Sequence, residues 1–298
     1  MTLYTNIAAN KRRTGMLLCI FLVIVIVLGW IFSKVYESPM ILYFAIGLSI
    51  VQALVSFYSG DKIALASAGA VAIEKKDNPE LYRIVENLSI TAGLPMPKIY
   101  IINDPAPNAF ATGRDPDHSS VAVTTGLLEI MEKTELEGVI AHEMSHIGNY
   151  DIRLMMVVVV LVGVVAMLSD IFLRFRYFFG GRNREESSSG GALALIGIDA
   201  ALLAPLVATL VQLAISRKRE FLADASGALL TRYPEGLANA LQKISSYSQP
   251  MRRTSSATSH LFISNPLGKT KSFFGNLFST HPPIEERVEA LIGMKTSE

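Results

Sequence analysis

The chain has 298 residues and a formal net charge of +1, with 50% hydrophobic and only 18% charged residues and a mean hydropathy of +0.37. That is too apolar for an ordinary soluble domain of this length and points to a membrane-embedded protein. The near-neutral charge gives no basis for nucleic-acid binding, and a single cysteine, Cys19, excludes an intrachain disulfide, as suits a reducing compartment.

Thr14 to Ser33 and Ser38 to Gly60 contain no charged residue, and each meets the length of about 20 residues needed to cross the hydrocarbon core. They predict a transmembrane hairpin over residues 1–60. Lys11, Arg12 and Arg13 flank its first run, so the positive-inside rule places the N-terminus in the cytoplasm and returns residue 61 onward to that side. No small-residue cleavage site follows the first run, so it reads as an anchor and not as a removed signal peptide.

Residues 61–151 read as the first half of a cytoplasmic domain. Asn78-Pro79 opens a helix that carries Leu81, Ile84, Val85 and Leu88 on one face and ends at Gly93. Three strands follow, Lys98–Ile102, Asn108–Gly113 and Ser120–Thr125, predicting a small antiparallel sheet. Ala109, Ala111 and Gly113 are small residues on one side of the second strand, as a close backbone approach requires, or as plain hairpin packing. An exposed edge there can pair with an extended peptide. Thr134 with Glu137 forms a capping box that starts the next helix.

That helix carries His142-Glu143-Met144-Ser145-His146. Two histidines four residues apart project from one helical face, so both imidazoles can reach one metal ion beside the carboxylate of Glu143, the pattern of a zinc hydrolase with its own base. Asn149 and Asp151 follow, placed either to hold the histidines or to cap the helix end. A catalytic zinc takes three protein ligands and keeps one position for water. The best third ligand is Glu220, with Asp224 four residues on, supporting a ligating histidine from behind.

Between these ligand groups, Leu154–Leu173 and about Gly191 to Ile215 predict a second hydrophobic hairpin over residues 152–215. If it crosses the bilayer twice, His146 and Glu220 emerge on the same side, within about 12 Å and 6 Å of the lipid along their helices. The connection carries Arg174, Arg176, Arg182 and Arg184, which opposes full spanning, so the pair either spans or lies beside the cytoplasmic domain. Residues 216–298 complete the catalytic domain. They hold Glu220, a helix over Pro234–Ser248, and a mobile Ser245–Thr280 stretch with exposed aromatics such as Phe262, Phe273 and Phe274. A last helix begins at His281-Pro282-Pro283, where His281 and Arg287 either mark an ordinary helix start or donate hydrogen bonds to an oxyanion.

In this order the segments resemble the HtpX family of bacterial membrane zinc endopeptidases, relatives of the eukaryotic CAAX prenyl protease. The resemblance covers nearly the whole chain, through the two N-terminal spans, Asn108-Ala109-Phe110-Ala111-Thr112-Gly113, the His142–His146 core, Ser216-Arg217 through Glu220 to Asp224, and Ser279-Thr280-His281-Pro282-Pro283 with Arg287. It implies one zinc per chain on His142, His146 and Glu220, with Glu143 as the catalytic residue and Asn108 to Thr112 as the edge that aligns substrate. It also implies quality control of damaged or misfolded membrane proteins, at the inner membrane with the active site facing the cytoplasm. The expected fold is an α-helical membrane protein of about four transmembrane helices, with a zincin-like α+β catalytic domain and a small antiparallel sheet. Two rivals differ in class: a membrane holdase or scaffold with a structural zinc, and a small transporter using Asp170 and Asp199, weakened by the lack of an internal repeat.

Overall fold

The charge-free runs form helices α1 (Leu3–Val35) and α2 (Pro39–Ser67), which pack along each other as a hairpin. The computed structural model describes residues 3–35, 37–161, 217–253, 258–267 and 282–294. Among them one stretch, Leu42–Ser67, is by itself long and apolar enough to cross a membrane, and its Tyr43, Phe44, Val51 and Leu54 face outward, as lipid contact requires. Of the expected four or so transmembrane helices this is the one clear span among the described residues; the third run, Leu154–Leu173, is described only as far as Leu161, and the fourth lies outside the described residues.

Helix α3 (Pro79–Ala92) begins and ends where its sequence signals stand. The Asn78 side chain accepts from the Leu81 amide at 3.0 Å, and Gly93, at φ +63°, supplies the left-handed stop. Leu81, Ile84, Val85 and Leu88 are buried as one face.

The sheet has four strands, β1 (Ala70–Ala72), β2 (Lys98–Ile102), β3 (Ala109–Gly113) and β4 (Ser119–Thr124), in the order β1-β2-β4-β3. It is mixed and not antiparallel as expected: β1–β2 and β3–β4 are antiparallel, but β2 and β4 run parallel. The chain leaving β2 passes to the far edge before the β3–β4 hairpin folds back into the slot beside β2. One face of the sheet, with Ile99, Ala109, Ala111, Val121 and Val123, packs on the main helical core. The other, with Ile102, Phe110 and Ala122, packs against Ala64 and Leu65 of α2, tying the sheet to the α1–α2 hairpin.

After the short α4 (Thr125–Ile130) comes α5 (Lys133–Gly148), the histidine helix, packed between α3, the sheet, α7 (Arg217–Thr231) and α8 (Pro234–Ser246). Its cap lies two residues upstream of the expected Thr134–Glu137 box: the Glu132 amide donates to Glu135 Oε2 at 2.7 Å, and Lys243 pairs with the same oxygen. The chain then bends by 82° into α6 (Asp151–Leu161), with Tyr150 at φ +60° in the turn. Helix α9 (Ile284–Gly293) closes the core through Val288 and Leu291. Phe262 is buried, not exposed as expected, because its ring sits edge-on against Phe110 at 4.9 Å.

Candidate active site

Helix α5 places His142 and His146 one turn apart, and α7 crosses it so that Glu220 meets both. The crossing is close: a Cβ on Gly227 would stand 3.0 Å from the His142 amide nitrogen, so that position has room for little more than hydrogen. Gly227→Ala should therefore separate two measurements. Helix propensity favours Ala by about 1 kcal/mol, so thermal stability stays near that of the parent. Displacing α7, however, separates Glu220 from the histidines and weakens metal binding by about tenfold, on the scale of losing a ligand's supporting partner.

The three side chains are almost fully buried, and their donor atoms lie within 4.8 Å of one another. His142 Nε2 is 3.2 Å from His146 Nε2 and 3.8 Å from Glu220 Oε2, while His146 Nε2 is 3.6 Å from Glu220 Oε1. A tetrahedral ion with bonds of about 2.1 Å sets its ligand atoms about 3.4 Å apart. Two imidazole nitrogens and one carboxylate at this spacing fit zinc's ligand set with one position left over.

Each histidine is backed by a carboxylate on its other ring nitrogen. His142 Nδ1 lies 2.9 Å from Asp224 Oδ1, and His146 Nδ1 lies 3.1 Å from Asp151 Oδ2. With both Nε2 atoms turned to the shared centre, both Nδ1 atoms carry the proton. Burial opposes a charge on His146, but the Asp151 hydrogen bond and the nearby carboxylates outweigh it and raise its pKa to about 9. Asp224 is held below the ordinary carboxylate range: burial works to raise it, and the Arg287 guanidinium prevails.

Arg287 is fully buried and grips Asp224 with two bonds, Nε to Oδ2 at 2.8 Å and Nη2 to Oδ1 at 2.6 Å. Its Nη1 donates to the Ile263 carbonyl at 3.3 Å and lies 3.8 Å from Glu220. The guanidinium expected to meet an oxyanion is thus engaged behind the ligands. His281, expected beside it, lies outside the described residues.

Glu143 is buried among these groups, and burial is the main reason its pKa is raised, against the histidine charges and a hydrogen bond from the Ala111 amide. That bond joins the carboxylate to the outer edge of β3. The expected substrate edge is not open: Ala109 O accepts from Ile263 N at 2.9 Å, and the Asn108 side chain bonds both the carbonyl and the amide of Ser264, at 3.0 Å and 3.3 Å. Phe110 and Thr112 are buried in the same strand. Asn149, expected either to hold a histidine or to cap the helix end, is the C-cap of α5, and the residue in contact with His146 is Asp151. Sequence reasoning missed Asn10, whose Nδ2 donates to Asp151 Oδ1 at 2.7 Å from 141 positions away. An Asn near the charged end of an apolar run is too common a signal to have found it.

Residues 75–295 match the model of "Peptidase family M48". A "Protease HtpX homolog" of Tropheryma whipplei (strain TW08/27) is 48% identical over 289 residues, and one of Caldanaerobacter subterraneus subsp. tengcongensis is 46% identical over 295, with 97% of each chain covered in both cases. Among solved structures, the crystal structure of S. mikatae Ste24p has a similar fold, with a TM-score of 0.52 at 22% identity. The similarity covers 93% of this chain and 62% of that one.

Proposed function

Because the chain belongs to peptidase family M48, among proteases of the HtpX type, and is a membrane metallopeptidase, we propose that it is a zinc endopeptidase that cleaves damaged or misfolded membrane proteins. The observation that carries this reading is the convergence of His142, His146 and Glu220 on one point with Glu143 beside them. These three residues would hold one zinc ion per chain. Bound there, zinc supplies a Lewis acid that makes water nucleophilic near neutral pH and polarises the scissile carbonyl.

Glu143 takes the proton of the attacking water on its carboxylate and returns it to the departing amine. Burial favours this, since a raised pKa brings the carboxylate closer to the working pH of a general base. The substrate aligns along the outer edge of β3, over Asn108 to Thr112, where Ala109 presents its carbonyl. Ile263 and Ser264 occupy that edge, so an extended peptide must first displace them. Asp224 and Arg287 hold the His142 ring in place, and His281 donates to the oxyanion. The remaining hydrophobic runs complete a multi-pass anchor in a bacterial inner membrane, with the site on the cytoplasmic side; the charge placement of Lys11, Arg12 and Arg13 supports that orientation.

The test is cleavage of casein by the detergent-purified chain, stripped of metal and then given zinc. Products should appear only with zinc. If the zinc-loaded chain yields none yet still holds unfolded casein, the holdase reading replaces this one.

A further inference from the structure

We propose that Asp151, held by Asn10 of α1, is a positioning residue for His146, which makes the N-terminal membrane helix a working part of the metal site. This rests on the reading of His142, His146 and Glu220 as the ligands. Asp151 Oδ2 lies 3.1 Å from His146 Nδ1, and both side chains are buried. Its other oxygen, Oδ1, accepts from Asn10 Nδ2 at 2.7 Å, with Arg219 Nη1 3.8 Å away.

Asn10 itself is only 4% exposed, and its amide also donates to the carbonyl of Asn149, at 2.9 Å. The next residue, Lys11, places its ammonium 4.2 Å above the ring of Tyr150. One turn of α1 therefore grips Asn149, Tyr150 and Asp151, the corner where the chain bends by 82° and Tyr150 adopts φ +60°. A non-glycine residue in that conformation carries a steric cost and persists where its surroundings hold it. The grip fixes the corner, the corner aims Asp151, and Asp151 sets the ring plane and proton position of His146.

The two histidines are thus supported in parallel but from different sources. Asp224 is clamped by Arg287 from inside the catalytic core. Asp151 is clamped from the membrane anchor. A movement of α1 relative to the core would be felt first at His146, through two hydrogen bonds.

The experiment titrates Co2+ into the metal-stripped, full-length chain in detergent and reads its affinity and visible absorption spectrum, neither of which depends on turnover. Asp151→Asn, which keeps the side-chain shape, should weaken Co2+ binding about 10- to 100-fold and alter the spectrum. Asn10→Ala should do the same to a smaller degree. Thr14→Ala, which removes only a bond within α1 to the Asn10 carbonyl, should change neither readout. Wild-type affinity and spectrum in both Asp151→Asn and Asn10→Ala would overturn the proposal, as would a Thr14→Ala effect equal to that of Asn10→Ala. A His142→Ala variant that still binds Co2+ with full affinity would instead show that the ligand reading itself is at fault.

Discussion

Glu143→Gln should lower peptide-bond hydrolysis by about 10²- to 10⁴-fold, the usual weight of a positioned proton-transfer group, while zinc content stays at one per chain. The two effects separate because Glu143 stands beside the ligand set and is not part of it. Gln keeps the size of the side chain and an oxygen for the Ala111 amide, so the helix and the β3 edge remain in register. What it lacks is a carboxylate that can take a proton. It also removes a buried acid whose charge is costly to keep, so the variant should be no less stable than its parent. Turnover is read on casein, zinc content by metal analysis of the same sample, and stability by thermal unfolding. Wild-type turnover in a zinc-loaded Glu143→Gln chain would take Glu143 out of the reaction, and loss of zinc would make it a ligand.

The parts of this fold that could be read from the sequence are those governed by neighbours in the chain. Asn78-Pro79 and Gly93 bound α3 because a cap, a fixed φ and a left-handed stop act within one turn. His142 and His146 face one point because a helix of 3.6 residues per turn brings residues four apart together. Glu220 and Asp224 were legible for the same reason, once a third ligand was required.

What could not be read depends on distant partners. The parallel pairing of β2 and β4 is set by the path taken between Ile102 and Ala109, not by the strands' own composition. Phe262 looked exposed in a Ser- and Gly-rich stretch, but it is paired with Phe110, 152 positions away. The Thr134–Glu137 box gives way to a cap at Glu132, where Glu135 reaches back and is held by Lys243 of another helix. Of the small residues of β3, Gly113 answers to packing within its own hairpin, since a Cβ there would collide with the His118 carbonyl. Ala109 and Ala111 pack into the core that contains α5, and the chain at Ile263 covers the strand's outer edge. That edge is where sequence alone placed an open site.

Arg287→Leu should cost the catalytic domain about 3–5 kcal/mol, because it leaves the Asp224 carboxylate buried without its counter-charge. Against a total stability of about 5–15 kcal/mol, that is a large share of the whole. Arg287→Lys should fall between, since a single ammonium cannot reproduce the two-pronged contact. The sign of the pH effect follows from Asp224. Its pKa in the fold is depressed from 3.8, so the pair contributes fully above about pH 4, the range of an unfolded carboxylate, and that contribution is lost as the pH falls through the depressed value. The wild-type chain should therefore become less stable in acid, with a weaker dependence in Arg287→Leu. Removing both partners, Asp224→Leu with Arg287→Leu, should recover much of the stability, because neither member of the pair is left buried without the other. It should nevertheless weaken metal binding, because His142 then lacks the carboxylate on its Nδ1. Thermal unfolding and zinc content across these variants separate the two contributions. An Arg287→Leu chain that unfolds and binds zinc as the wild type does, yet loses turnover, would mean that Arg287 acts on the substrate oxyanion and not through Asp224.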